Sequence, residues 1–413
     1  MSSTDAEIRD FDPFTSDPQQ QLNALRMQGK VVRSPAMNDA RLVLTDAECR
    51  EVLVDDQSYS SAFAMGGPLA MNNSETVMQA LPPFLREDGL TAIVDADMPA
   101  HAELRKTMRR AYEPGWIQTQ VPVFRAIAEE LIGTLPRAGE LDLVSGYTRP
   151  FVQRVMCRVM GVPDDMVQRV AGWARDMETI ASPPVAFSEE TKLAAAERLG
   201  EYERWASEFV AAQRPDRDAM AIYAHGDGDR AQPLPRAVAM YTLLVHFVAG
   251  TVTTGHALSS TFEQLLRRPQ LWAACVADPD GYAPGAFEEA MRFAAPHRGL
   301  VRLTTAETTL DGETLAPGTM VLPMLQSANR DEERFEQADQ FCPGRDRARD
   351  HIAFGHGRHL CVGAELARKE AAEAIAAFAV AYPNATLVDP DQPAAVEPNY
   401  FFHGPASLPV TLA

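Results

Sequence analysis

Phe354-Gly355-His356-Gly357-Arg358-His359-Leu360-Cys361-Val362-Gly363 is the stretch around which the chain is organised. One cysteine stands in a glycine-rich loop with no second cysteine nearby, so neither the paired spacing of a zinc site nor that of a redox dithiol is present. Glycines before the sulfur let the backbone turn tightly and bring N–H groups close to it. Such donors lower a thiol's pKa and tune any metal it binds. The next residues, Ala364-Glu365-Leu366-Ala367-Arg368-Lys369-Glu370, predict a helix. The thiolate would then stand at a helix N-terminus, where the dipole favours negative charge. This is chemistry for one thiolate on one soft or borderline metal. Taken alone, the same pattern also describes a buried structural cysteine beside a glycine turn.

The spacing Phe-x-x-Gly-x-x-x-Cys-x-Gly, from Phe354 to Gly363, resembles the haem-binding loop of the cytochrome P-450 family. The resemblance implies haem b with Cys361 as its axial thiolate, seated by Phe354, Gly355 and Gly363. It also implies a mainly α fold with small β-sheets (α+β), a single domain over residues 1–413. The haem would lie between a long central helix and the cysteine loop. The small β-rich part would cover about residues 29–60 and 296–325, and the helical part about 97–295 and 360–385. The residues read the same way. Lys30-Val31-Val32-Arg33 and Arg41-Leu42-Val43-Leu44 alternate as short strands, as do residues 301–324 with a turn at Asp311-Gly312.

Composition narrows the function. With 57 acidic and 38 basic residues the formal charge is -19, which argues against nucleic acid or an anionic membrane as a general partner. Cys49, Cys157, Cys275, Cys342 and Cys361 are sparse and follow no pairing rhythm, as in a reducing cytosol. Met1 to Asp17 is polar and acidic, without an apolar leader. The expectation is a soluble, cytoplasmic protein of the bacterial branch of that family.

Residues 60–95 read as irregular, a stretch that the family uses to cap the substrate cavity; Met65, Met71 and Phe84 are pocket candidates there. In Asp97-Met98-Pro99-Ala100-His101-Ala102-Glu103-Leu104-Arg105, Pro99 suits a first helical turn with Asp97 as its cap. His101 and Arg105 share one helix face at i and i+4, either a solvated basic face or a seat for carboxylates. By resemblance they hold the haem propionates together with Arg302, His351 and His359. Residues 118–215 read as successive helices, broken at Gly161-Val162-Pro163 and at Ser182-Pro183-Pro184, where the family places a mobile lid.

Residues 235–268 form a long helical pattern whose middle, Ala249-Gly250-Thr251-Val252-Thr253-Thr254, is poor in helix formers and rich in hydroxyls. A distorted turn is expected there. The family pattern is Ala/Gly-Gly-x-Asp/Glu-Thr, so Ala249, Gly250 and Thr253 match and Val252 stands where the acid belongs. By resemblance the threonine acts in oxygen activation while the acid relays protons, and valine cannot relay a proton. His246, Val245 and Val252 lie on the same helix and are substrate-pocket candidates, His246 either at the cavity or simply packing.

Glu289-Ala290-Met291-Arg292 is Glu-x-x-Arg, an i, i+3 pair. By resemblance it joins Arg345 in a buried structural triad bracing the cysteine loop. His297, Arg298 and Leu300 would pass the substrate side, and Phe401 and Phe402 would form apolar pocket walls. His297 and Arg298, with His246 and His403, hint at a polar or carboxylate-bearing ligand.

No Gly-x-Gly-x-x-Gly follows a strand, so no flavin or nicotinamide domain is expected and electrons would come from a separate ferredoxin or flavodoxin. Lys106, Arg109, Arg110, Arg358 and Arg368 are the expected docking patch. The leading function is a haem-thiolate monooxygenase using O2 on a small organic, secondary-metabolite-type substrate. Val252 keeps open a haem-thiolate enzyme of other chemistry: peroxide-driven oxidation, oxidative coupling or nitration. A haem-based binding or sensing protein is the non-enzymatic reading.

Overall fold

Fourteen helices carry most of the described chain: α1 Pro18–Arg26, α2 Asp46–Val54, α3 Glu75–Ala80, α4 Ala100–Ala111, α5 Pro114–Thr134, α6 Arg149–Met160, α7 Val167–Ala181, α8 Glu189–Ala212, α9 Ala219–His225, α10 Arg236–Leu266, α11 Pro269–Ala277, α12 Pro279–Phe293, α13 Leu325–Ala328 and α14 Ala364–Ala381. The computed structural model describes residues 10–15, 17–62, 64, 72–87, 89–182, 184, 186–214, 218–396 and 399–413. The expected pocket residues Met65 and Met71, and most of the polar N-terminus, lie outside the described residues.

The axis of the molecule is α10. It is buried along most of its length and packs on α6, α7, α8, α12 and α14. It is long and apolar enough by composition to cross a membrane, yet 67% of its most apolar window is buried within the protein. The helix is continuous through residues 249–254, so the expected distorted turn is not there. Instead the hydroxyls of Thr251 and Thr253 each donate to the carbonyl four residues back, Phe247 and Ala249, both at 2.6 Å. Those bonds satisfy the hydroxyls without breaking the ladder.

A five-stranded sheet covers one side, in the order β1-β2-β8-β5-β3, from Val31–Ser34, Ala40–Val43, Met320–Pro323, Arg302–Thr304 and Tyr59–Ser60. Its β2–β8 pair is parallel, with Leu42 opposite Leu322, and its other pairs are antiparallel. A hairpin, β6 Thr308–Leu310 with β7 Glu313–Leu315, turns at Asp311-Gly312 as expected. One strand was not expected. Gly139–Asp142, β4, lies within the stretch that reads as helices. It pairs with β10, Pro409–Leu412, which also pairs with β9, Thr386–Leu387. Its partner lies far along the chain, so local periodicity carries no sign of it.

Two further expectations are corrected. Asp97 does not cap α4 with its carboxylate, which instead accepts from Ser61 N–H at 2.8 Å and from the Ser60 hydroxyl. Only its carbonyl serves the helix, accepting from His101 N–H at 2.9 Å. Phe84 is no pocket residue: it is buried in the core 6.0 Å from the Tyr202 ring.

Candidate active site

The cysteine loop folds as its glycines predict. Gly357 has φ +70°, and a Cβ there would come within 2.5 Å of the Leu53 carbonyl oxygen, so only glycine fits. The Cys361 N–H donates to the Phe354 carbonyl at 2.8 Å, closing the loop. α14 begins three residues after the sulfur. Burial pushes the Cys361 thiol up, while the N–H groups of Gly363 and Ala364 and the guanidinium groups of Arg105 and Arg368 pull it down. The exposed surface of Cys361 faces an internal cavity. A bound cation would tip this balance toward thiolate.

That cavity has about 320 Å³ of accessible space. Cys361 with Phe354, Gly355 and Gly363 forms one wall, and Val245, His246, Ala249, Gly250 and Thr253 of α10 contribute another. His297, Leu300, Phe401 and Phe402 also line it, His297 and Phe402 meeting as an isolated β-bridge with rings 5.0 Å apart. The remaining lining is mostly apolar.

Beside this cavity stand cationic and donor groups that have no carboxylate hydrogen-bond partner among the described residues. Arg105 Nε and His101 Nε2 are buried without a hydrogen bond. Arg302 is buried and, among the described residues, donates to the Val301 carbonyl, at 2.8 Å. Burial holds its pKa down to about 10. The His359 ring lies 4.2 Å from that of His101, and its Nε2 meets the Ser61 hydroxyl at 3.2 Å. Burial and the nearby Arg302 hold His359 down to about 3. Buried, unmatched cations of this kind demand anions from a ligand. One thiol on the wall of a largely apolar cavity, with Arg105, Arg302 and His359 on the same wall and His101 beside His359, fits an iron porphyrin with two carboxylate arms.

His351 does not join that group. Its ring lies 3.3 Å from the Glu288 carboxylate and its Nδ1 accepts from Ala353 N–H at 3.1 Å, away from the cavity wall. Arg368 is likewise drawn inward, gripping Glu288 at 2.7 and 2.9 Å, so it leaves the expected docking patch. Arg298 and His403 are not on the cavity wall, and Arg298 is buried with both terminal nitrogens unbonded. Val252 is also elsewhere: it faces a second, small cavity between α6, α7 and α10. His246 reaches the cavity but is fully satisfied, its Nδ1 2.7 Å from the Thr242 carbonyl and its Nε2 3.3 Å from the Tyr223 hydroxyl.

The Glu289–Arg292 pair is fully buried at 2.8 Å, and Arg345 reaches Glu289 at 3.1 Å. Glu289 also accepts from Cys342 N–H at 2.9 Å, while Arg292 donates to the Asn329, Ala338 and Gln340 carbonyls. These bonds pin the segment that leads into the cysteine loop.

On the surface, Lys106, Arg109, Arg110 and Arg358 line a shallow basin of about 480 Å³ with Arg105 and Arg230. Arg358 is paired with Asp56 at 2.6 Å, and Arg110 with Asp227 and Glu113.

Sequence reasoning missed two carboxylates on the large cavity. Glu370 of α14 is buried with Oε2 unbonded; burial raises its pKa well above normal, and Thr254 hydrogen-bonds it. Glu178 of α7 lines the same cavity and takes a 3.5 Å bond from the Asn399 amide. An acid on the buried face of a predicted helix was the one available signal for Glu370.

Comparison with known proteins bears on this geometry. A family model described as Cytochrome P450 matches residues 200–379. The Putative cytochrome P450 YjiB of Bacillus subtilis is 31% identical over 305 residues, 72% of this chain and 75% of that protein. Nocardicin C N-oxygenase of Nocardia uniformis is 29% identical over 420 residues, covering both chains in full. The P450 heme domain of Tepidiphilus thermophilus has a similar solved structure, with a TM-score of 0.86, 25% identity, and coverage of 98% of this chain and 97% of that one.

Proposed function

The chain belongs to the cytochrome P450 family, an oxidoreductase family with haem b on a cysteine thiolate, and we propose that it oxygenates a small, largely apolar secondary-metabolite-type molecule. One observation supports this most: Cys361 and the Ala249-Gly250-Thr253 segment of α10 line one cavity. When bound, haem supplies activation of O2, and a thiolate ligand favours O–O cleavage.

The protein's part is to bind, orient and keep water out. Cys361 would hold the iron, and His101, Arg105, Arg302 and His359 would take the two propionates. Phe401, Phe402, Leu300 and Val245 would exclude water and turn the substrate. His297 and Asn399, both on the wall, would orient a polar group on it. The Thr253 hydroxyl donates to Ala249, so its lone pairs are left to accept a hydrogen bond inside the cavity. The relative that oxygenates nocardicin C supports a natural-product substrate.

Electrons would come from a separate ferredoxin or flavodoxin, docking over the basin of Lys106, Arg109 and Arg358. A second reading rests on Val252, since α10 presents no acid beside Thr253. It is peroxide-driven oxidation, oxidative coupling or nitration on the same haem-thiolate site. Turnover of ligands that shift the haem spectrum, with NAD(P)H and a surrogate ferredoxin against peroxide alone, separates the two. Product only with peroxide would reject the first.

A further inference from the structure

The small cavity that Val252 faces has about 40 Å³ of accessible space. A single water occupies roughly 10–15 Å³ by this measure, so there is room for about three. Polar side chains share its lining: Gln153, Arg149, Thr251 and His256 stand around Val252, and the exposed Arg175 lines it too. One acid lines it, Glu178, and Glu178 is also on the wall of the large cavity with Thr253. No other carboxylate among the described residues lines both spaces. The acid absent from α10 is therefore matched by an acid on α7, across the same small space.

We propose that Glu178 is the proton-relay group of this enzyme, carrying protons from the small polar cavity to the Thr253 side of the large one. The proposal rests on the monooxygenase reading above. A turnover that places one oxygen atom of O2 in substrate and the other in water consumes two electrons and two protons. The electrons come from the redox partner. In each transfer the Glu178 carboxyl gives a proton toward the large cavity and takes one back from water in the small cavity. It returns to its starting charge, and one proton has moved inward from solvent.

The groups around Glu178 suit this task. Arg149 and Arg175 line the small cavity with it. His256 is held neutral by burial, down to about 3, so it does not compete as a proton donor near neutrality. On the large-cavity side the Asn399 amide donates to its Oε1. Across that cavity stand Arg105, Arg302, His297 and His359, and the other acid, Glu370. Glu370 does not line the small cavity, so it lacks this route to solvent.

The test uses holoenzyme, a turned-over ligand and a surrogate ferredoxin system. Glu178→Gln keeps the shape and removes the transferable proton. Its product rate should fall on the order of tenfold, with more peroxide released per NAD(P)H and a larger solvent isotope effect. That is below the roughly 10²–10⁴ of a wholly lost general acid, because water still enters. The ligand's spectral-binding midpoint should not move. Glu178→Asp, which keeps a transferable proton but shortens the side chain, should retain more of the rate and coupling than Glu178→Gln, the reverse of what a merely structural Glu178 would show. In the resting holoenzyme, the carboxyl infrared band that disappears in Glu178→Gln should shift within seconds of mixing into D2O. An unchanged coupling ratio in Glu178→Gln, a Glu178→Asp variant no better coupled than Glu178→Gln, or a band that does not exchange would overturn the proposal. So would uncoupling by Glu370→Gln alone. A wild-type enzyme that makes no product with the ferredoxin system would instead reject the monooxygenase reading.

Discussion

The guanidinium of Arg292 and the carboxylate of Glu289 meet through two hydrogen bonds, at 2.9 and 2.8 Å, with neither side chain exposed to solvent. Breaking such a pair from one side leaves an uncompensated buried charge, which costs about 3–5 kcal/mol. Arg292→Met should therefore lower unfolding free energy by about that amount. Because Arg292 also holds three backbone carbonyls ahead of the cysteine loop, haem content should drop with it. Urea unfolding and haem-to-protein absorbance ratios check both; a stable variant with full haem would contradict the bracing role.

The sulfur at 361 has a different signature. Its side chain faces the cavity and braces nothing in the core, so Cys361→Ser should change the stability of the haem-free protein by less than about 1 kcal/mol. The reduced carbonyl adduct of the variant should lose the thiolate-type spectrum. Retention of that spectrum would remove Cys361 from the iron.

Arg302 should show opposite effects in the two forms of the protein. In the haem-free chain it is a buried cation with no carboxylate within hydrogen-bond reach among the described residues, so Arg302→Met should stabilise that form by about 1–3 kcal/mol. With haem bound, the same change removes a propionate partner and should speed haem transfer to a scavenger protein. Destabilisation of the haem-free form would show that Arg302 has another partner.

His246 predicts a pH dependence. Burial lowers its folded pKa to about 4, below the roughly 6.5 of an unfolded histidine. Above about pH 6.5 both states are neutral and the shift contributes nothing. As pH falls from about 6.5 to about 4, the unfolded chain takes a proton that the folded site refuses. Stability therefore falls by about 1.4 kcal/mol per pH unit, about 3 kcal/mol in all. His246→Asn should flatten that part of the slope when urea unfolding is followed from about pH 7 to about pH 4.5. An unaltered slope would assign the acid sensitivity to other histidines.

These residues differ in how far sequence alone reveals them, and the reason is distance along the chain. The Phe354–Gly363 loop, the Glu289–Arg292 pair and α10 were legible because each is a local pattern whose chemistry lies within ten residues or one helix period. Arg368 was misread because its partner, Glu288, is eighty residues away on α12, and only packing turns the guanidinium inward. Val252 was read correctly as a missing acid but placed in the wrong space, since the face of α10 that it occupies depends on α6 and α7. Glu178 gave no signal at all. It is one of many acids on helical patterns, and its meaning comes from the two cavities that meet at its side chain.

Redox docking can be argued from pairing in the surface basin. Arg109 is exposed and has no ion pair among the described residues, whereas Arg358 is already matched by Asp56 at 2.6 Å. An acidic donor protein should therefore be steered more by Arg109. Arg109→Glu should slow reduction by a ferredoxin roughly tenfold at low salt and flatten its salt dependence, within the range of electrostatic steering. Arg358→Glu should have a smaller effect, because the wild-type charge is partly cancelled and the reversal adds repulsion against Asp56. At salt well above physiological strength the variants and wild type should converge, as screening shortens the reach of the charge to a few ångströms. Stopped-flow reduction across a salt series measures this. Equal rates for wild type and Arg109→Glu at low salt would move the docking face away from this basin.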